Sequence, residues 1–316
     1  MPELNTILVA IRSSGERTEQ ACIESVLGEG FSRDQIHIIR EVPFKKALEE
    51  CFTIAKAHKI KWLLTLDADM ILLPNVLEKF HKEAEKMPDH FIQIQGQVLD
   101  KFYGEVRRGG PRYYRTEHLS KALNISQSLD DHIRPETNII QKMGSSGHPS
   151  RYISSPIALH DFGQYYSDIY RKARIYAVKH ISRISVILEQ AKKNKSSDND
   201  YSVIIKGVFD GLSDESEASI DKRLFVKEAE KALKDLNLVE KPTQLESFKI
   251  KDVLNKYKLD GSKTFLNLVY KDVPSTRTHL VRNFYKNRGL LRSLIYFTGT
   301  LLSQSGNYLL NKNRSK

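Results

Sequence analysis

The sequence predicts a mixed α/β fold that opens on a parallel sheet and continues into a mostly helical C-terminal extension. Three observations predict it. Short apolar runs alternate with helix-like ones as far as Leu66, and such near-continuously apolar strands belong to sheets covered on both faces. A carboxylate pair, Asp67 and Asp69, closes the third of these runs, and helical spacing dominates after Ser167.

The element order is strand Thr6–Ile11, helix Glu19–Leu27, strand Gln35–Ile39, helix Phe44–His58 and strand Trp62–Leu66. Right-handed crossovers make such a βαβαβ run parallel, and ligands of parallel sheets bind beyond the strands' carboxyl ends. The segments to watch are therefore Arg12–Arg17, Arg40–Phe44 and Asp67–Asp69. Pro74, suited to a first turn, opens a helix through Asn75 to Met87, and another strand runs from Phe91 to Val98. Asp100–Tyr114, rich in Gly, Arg and Tyr, and the polar Ser126–Pro156 read as site-forming loops. From Ser167 to Lys192, Ile169, Ala173, Tyr176, Ala177, His180, Ile181, Ile184 and Ile187 recur near helical spacing. The charged stretch Lys192–Asp200 is the natural break, which gives an α/β domain over residues 1–190, a linker over 191–202 and a mostly helical region over 203–316. Within that last region Leu224–Leu238 reads as helix.

A chain of 316 residues with 40% hydrophobic content can bury one large core or two smaller ones, which excludes disordered and fibrous classes. Cys22 and Cys51 both fall inside amphipathic helix patterns, so no disulfide framework is expected and a reducing, cytoplasmic setting fits. Neither a leader nor an apolar run of about 20 residues is visible, so the chain is expected neither to span a membrane nor to be exported. The formal charge of +11 calls for an anionic partner. Much of that excess lies in the tail: no acidic residue follows Asp272, whereas Arg277, Arg282, Lys286, Arg288, Arg292, Lys312, Arg314 and Lys316 do.

Asp67 and Asp69 sit inside hydrophobic sequence, between Trp62–Leu66 and Met70–Leu73. Residues two apart on an extended backbone point to the same side, so their like charges require a cation, a proton or good solvation. Mg²⁺ or Mn²⁺ is the economical answer, because hard cations take carboxylate oxygens and fill the remaining positions with water and substrate phosphate. A helix cap and a solvated turn would also account for the pair.

The run WLLTLDADMILLPNVLEKF resembles the DxD segment of GT-A glycosyltransferases, especially the family 2-like bacterial enzymes, and ILVAIRSSGERTEQACIESVL resembles their first strand, loop and helix. The likeness extends over about Thr6 to Arg171, with the Asp67-Ala68-Asp69 segment its most specific part. It implies a GT-A domain with Mn²⁺ or Mg²⁺, a nucleotide-sugar donor and a glycan or lipid-linked acceptor of the cell envelope. It makes Asp69 the main metal ligand, Asp67 a contact to the donor ribose or to the metal through water, and His160 in IALHDFGQYY a late ligand. Arg12 and Glu41 would meet the nucleobase, although Asp is more usual than Glu at that place, and Lys45 and Lys46 stand close enough to neutralise the diphosphate.

Glycosyl transfer needs a departing diphosphate to be stabilised and, for inversion, an attacking hydroxyl to be deprotonated. Asp130, Asp131 and Glu136 in SLDDHIRPETNII form the acidic cluster at the family's base position. The usual Glu-Asp pair is missing, so the base stays open between them, with Asp131 first and Glu136 next. Arg107, Arg108, Arg112, Tyr113 and Tyr114 would suit a sugar, a phosphate or RNA equally. In the tail, Leu290, Leu291, Leu294, Ile295, Phe297, Leu301 and Leu302 fall near helical spacing beside Arg288 and Arg292. That pattern fits a basic amphipathic helix at an anionic membrane surface, or a stripe packed on protein. Two rivals remain: a haloacid-dehalogenase-like phosphatase, which also uses D-x-D, and a nucleic-acid-binding protein without enzymatic activity.

Overall fold

The first strand, β1 (Ile7–Arg12), is buried on both faces, and its side chains alternate between two cores. The computed structural model describes residues 4–129, 135–213, 225–245 and 250–257. In it Ile7, Val9 and Ile11 face a core shared with Cys22, Ile23 and Val26 of α1 (Glu19–Leu27), while Leu8 and Ala10 meet Leu48, Cys51 and Phe52 of α2 (Phe44–Ala57). Each large apolar side chain removed from water in this way contributes about 1.5–3 kcal/mol, which is why the strand carries no exposed polar face. Both cysteines are buried and free.

Strands β2 (Ile36–Ile39) and β3 (Trp62–Asp67) flank β1 in parallel, as the sequence predicts. The sheet is larger than expected and mixed. Seven strands run in the order β2-β1-β3-β6-β5-β7-β4, with β4 (Met70–Leu72), β5 (Gln93–Asp100), β6 (Glu105–Arg115) and β7 (Ser150–His160) in its second half. β6 is antiparallel to both β3 and β5, β7 runs parallel to β5, and β4 is antiparallel to β7.

Two regions expected as loops are therefore ordered elements. Asp100–Tyr114 holds most of β6, and Ser126–Pro156 holds the end of α4 (Leu119–Gln127), all of α5 (Pro135–Ser145) and most of β7. Gly109, Gly110 and Pro111 hide the strand in the sequence, yet Tyr113 and Tyr114 are core residues, one stacked on Trp62 and the other edge-on to Phe52. The two tyrosines are thus interior and unavailable for stacking on RNA, while Arg107 and Arg112 are partly buried and Arg108 is exposed. A bulge at Gly96 admits β7: a Cβ there would lie 2.2 Å from Cδ1 of Ile157.

Helix boundaries shift for local reasons. α3 (Leu77–Glu85) starts after Pro74 because Asn75 adopts a left-handed φ of 59°, and the Glu29 carboxylate accepts from the amides of Asn75 and Leu77. The helix expected over Ser167–Lys192 divides into α6 (Tyr166–Lys179) and α7 (Ile184–Asn194). With α8 (Asp200–Leu212), α9 (Val226–Asp235), Phe102 and Tyr103 they enclose a third core. The charged break before α8 is anchored: buried Lys101 pairs with Asp198 at 2.9 Å and with Asp200. α10 (Ile250–Lys256) rests Ile250, Val253 and Leu254 on the first core.

A strap at 238–245 returns to the sheet side. Arg17 donates to the carbonyls of Gly163, Pro242 and Gln244 at 3.0, 2.7 and 3.2 Å, and Glu240 accepts from the Tyr166 and Ser167 amides that open α6. No helix among the described residues is long and apolar enough to cross a membrane, and the tail pattern at Gly289–Leu302 lies outside them.

Helices α6 and α8 approach closely because α8 offers Gly207 and Gly211. A Cβ at Gly207 would lie 2.6 Å from the Tyr170 carbonyl and 2.7 Å from the Ala173 Cβ. Gly207→Ala is therefore expected to lower unfolding free energy by about 1–3 kcal/mol through overpacking. Gly144→Ala in α5, where nothing lies within 4 Å, should be neutral or stabilising by up to about 1 kcal/mol. Denaturant titration of both variants checks the contrast.

Candidate functional site

The carboxyl ends of β1 and β3 lie in register, so Arg12 and Asp67 are neighbours across the sheet. Arg12 Nε donates to Asp67 Oδ1 at 2.8 Å, its Nη1 reaches Glu136 at 3.2 Å, and the guanidinium lies 4.6 Å from the centre of the Phe44 ring. Glu136, in the first turn of α5, also accepts from the Tyr114 hydroxyl at 2.7 Å and pairs with Arg112 Nε at 3.1 Å. Burial alone would raise the pKa of Glu136, but Arg112 and Arg12 hold it down at about 2. A carboxylate so tied is a poor proton acceptor, and its geometry is that of a brace for Arg12.

Beyond Asp67 the strand stops. Ala68 and Asp69 form a turn between β3 and β4, held where the Ala68 amide donates to the Arg12 carbonyl at 2.9 Å and Thr18 Oγ1 donates to the Ala68 carbonyl at 2.7 Å. The sequence expectation of two carboxylates side by side on extended backbone is corrected by that turn. Asp67 faces Arg12, whereas Asp69 faces a separate cluster.

That cluster forms where three further chain segments meet. His160 ends β7, opposite Met70 of β4 on one side and Asp100 of β5 on the other, and the Asp161 amide donates to the Asp69 carbonyl at 3.1 Å. Potential ligand atoms of Asp69, His160 and Asp161 all lie within 4.8 Å of one another. Asp161 has a φ of 66°, a strained conformation for a residue with a Cβ.

His160 is oriented from one side. Its Nδ1 lies 2.8 Å from Asp100 Oδ2 and 3.1 Å from Asp161 Oδ2, while Nε2 turns toward Asp69 Oδ1 at 3.6 Å. Asp100 is steadied in turn by Arg107 Nε at 2.7 Å. Lys172, on α6, places its ammonium on both Asp69 and Asp161. Burial opposes the imidazolium, but the charges of Asp161 and Asp69 and the bond to Asp100 lift the His160 pKa to about 10. Burial likewise opposes the Asp161 carboxylate, yet His160 and Lys172 bring its pKa down to about 2. Arg107 and His160 hold buried Asp100 well below the usual carboxylate range.

The donor set fits a hard divalent cation. Asp69 Oδ1 and Asp161 Oδ2 are buried without a well-formed hydrogen bond, with the His160 ring as neighbour at 3.6 and 3.1 Å, an incomplete pairing that a divalent cation would complete. Carboxylate oxygens with an imidazole Nε2, whose other nitrogen is fixed by a carboxylate, make a recognised ligand arrangement.

The remaining predicted residues are placed as follows. Glu41 is exposed in the loop after β2. Lys45 donates to the Leu129 carbonyl at 2.6 Å, toward the end of α4, and Lys46 is exposed on α2. Asp130 and Asp131 lie outside the described residues. The sequence does not single out Asp100, Asp161 or Lys172 as site residues, and it offers Arg107 for a sugar, a phosphate or RNA, whereas the structure pairs it with Asp100. Asp161 had the clearest signal, standing beside His160 directly after an apolar run.

Neither a protein-family model nor a curated protein sequence matches the chain. Solved structures similar to it include a glycosyltransferase involved in the glycosylation of the major capsid of PBCV-1, at 10% identity and a TM-score of 0.36, covering 50% of this chain and 93% of that one. Another is the apo-form glycosyltransferase GlyE of Streptococcus pneumoniae TIGR4, at 10% identity and a TM-score of 0.30, covering 85% of this chain and 65% of that one. The second likeness thus spans just under two thirds of its counterpart. At these TM-scores the functional reading rests on the site's own residues.

Glu136→Gln reproduces the protonated carboxyl and so isolates the ionic part of its brace. The folded pKa of about 2 lies below the ordinary glutamate value. The carboxylate's stabilisation is therefore complete above roughly pH 4.3 and disappears as pH falls through the folded pKa. Unfolding measurements should show the variant weaker than the native chain by on the order of 3 kcal/mol at neutral pH, with the two converging near pH 2.

Proposed function

We propose that the chain is a metal-assisted glycosyltransferase of the GT-A kind, moving a sugar from a nucleotide-sugar to a glycan or lipid-linked acceptor. One observation carries this reading: Asp69, His160 and Asp161 gather at the carboxyl edge of the sheet, where one buried oxygen of each aspartate has no well-formed hydrogen bond. That edge is where α/β sheets bind nucleotides, and the Asp67-Ala68-Asp69 segment resembles the family's motif.

Asp69, His160 and Asp161 would hold Mn²⁺ or Mg²⁺, with Asp100 orienting the imidazole. A divalent ion bound there supplies electrostatic stabilisation of the diphosphate leaving group. Asp67, whose side chain is 31% exposed and whose Oδ1 is held by Arg12, is assigned to the donor ribose. The role of base goes to Asp131 or its neighbour Asp130. Glu136 acts as a positioning residue for Arg12, because its carboxylate is already engaged by two guanidinium groups and a phenol. Glu41, Lys45 and Lys46 are assigned to the nucleotide side. The basic tail is assigned to an anionic membrane surface carrying the acceptor, on the cytoplasmic face of the cell envelope.

A phosphatase would need Asp67 as a free nucleophile, and the ion pair with Arg12 argues against that. A screen of nucleotide-sugars by release of free nucleoside diphosphate, with Mn²⁺ present, identifies the donor. Asp69→Asn should then reduce turnover at least 10²-fold and abolish the Mn²⁺-dependent rise in melting temperature given by the donor. An Asp69→Asn protein with native turnover would overturn the assignment.

A further inference from the structure

Lys172 is an unusual neighbour for a cation site. Its side chain is 12% exposed, and its ammonium contacts one oxygen of Asp69 and one of Asp161, two of the groups assigned to the metal. Those carboxylates are buried, and Asp100 behind them already has Arg107. Bringing two like charges together away from water is unfavourable unless a positive charge lies between them.

The lysine's base is firmly set. Glu240 caps the first amides of α6, and Gly207 and Gly211 of α8 lie against its Tyr170–Arg174 stretch. Movement of the ammonium must therefore come from the four-carbon stem, which is flexible and carries a compact charge. An ammonium and a divalent ion also contest the same two carboxylates: Lys172 takes Asp69 Oδ2 and Asp161 Oδ1, so neither group can give both its atoms to metal while the lysine stays.

We propose that Lys172 is the resident cation of this site, keeping the Asp69–Asp161 pair assembled between metal ions and weakening metal affinity so that the ion can exchange. The proposal rests on the metal reading above. Lys172 would swing off the two carboxylates where a divalent ion is bound and would return to them where none is.

Mn²⁺ titrations of the full chain, followed by calorimetry and by water-proton relaxation, test it without reference to turnover. Lys172→Met should bind Mn²⁺ at least tenfold more tightly than the native chain and melt lower without metal, a deficit that saturating Mn²⁺ removes. Lys172→Arg, whose planar fork can hold both carboxylates at once, should bind Mn²⁺ more weakly than the native chain. Should Lys172→Met fold poorly, the arginine variant alone decides, because equal or tighter binding by it overturns the proposal. Unchanged or weaker binding by Lys172→Met overturns the proposal while leaving the metal site standing. Absence of Mn²⁺ binding in all three proteins removes the metal reading and the proposal together.

Discussion

Buried charge must be met by opposite charge, and the carboxyl edge of this sheet is arranged around that requirement. Asp67 and Glu136 share Arg12, Asp100 takes Arg107, and Asp69 and Asp161 share Lys172 with His160 close by. Removing one member would leave its partners uncompensated away from water, which costs far more than a surface ion pair contributes. The strand ends are therefore fixed by charge matching as much as by apolar packing.

The turn at Ala68 separates two networks with different character. On the Arg12 side every bond of Glu136 is directed and the pairing is closed, so that side resembles scaffolding. On the Asp69 side one oxygen of each of two carboxylates lacks a well-formed hydrogen bond, and the opposite oxygens take a lysine on a long stem. Rigidity on one side and adaptability on the other suit a site that grips one end of a ligand and accommodates change at the other.

The sequence made the first half of this architecture legible, because β1, α1, β2, α2 and β3 each carry a continuous apolar or amphipathic signal. It also marked Asp69 and His160. The strand character of β6 and the burial of its C-terminal end were hidden by Arg107, Arg108, Gly109 and Gly110, residues that belong to loops when judged by composition alone. Lys172 was hidden for another reason. A lysine on a helix reads as solvated, and its pairing with Asp69 joins positions 103 residues apart, which local periodicity does not register. The divergence of Asp67 and Asp69 depended on a backbone turn whose determinants, the Thr18 hydroxyl and the Arg12 carbonyl, lie in another part of the chain.

The grip of Arg17 has a consequence of a different kind. One guanidinium gathers carbonyls from Gly163, Pro242 and Gln244, and nearby Glu240 supplies the acceptor for the opening amides of α6. The helix that bears Lys172 is thus moored by residues far downstream of the sheet. Shortening the polypeptide ahead of this mooring would strip α6 of its anchorage at one end, so distal sequence governs how faithfully the ion-handling residues are presented.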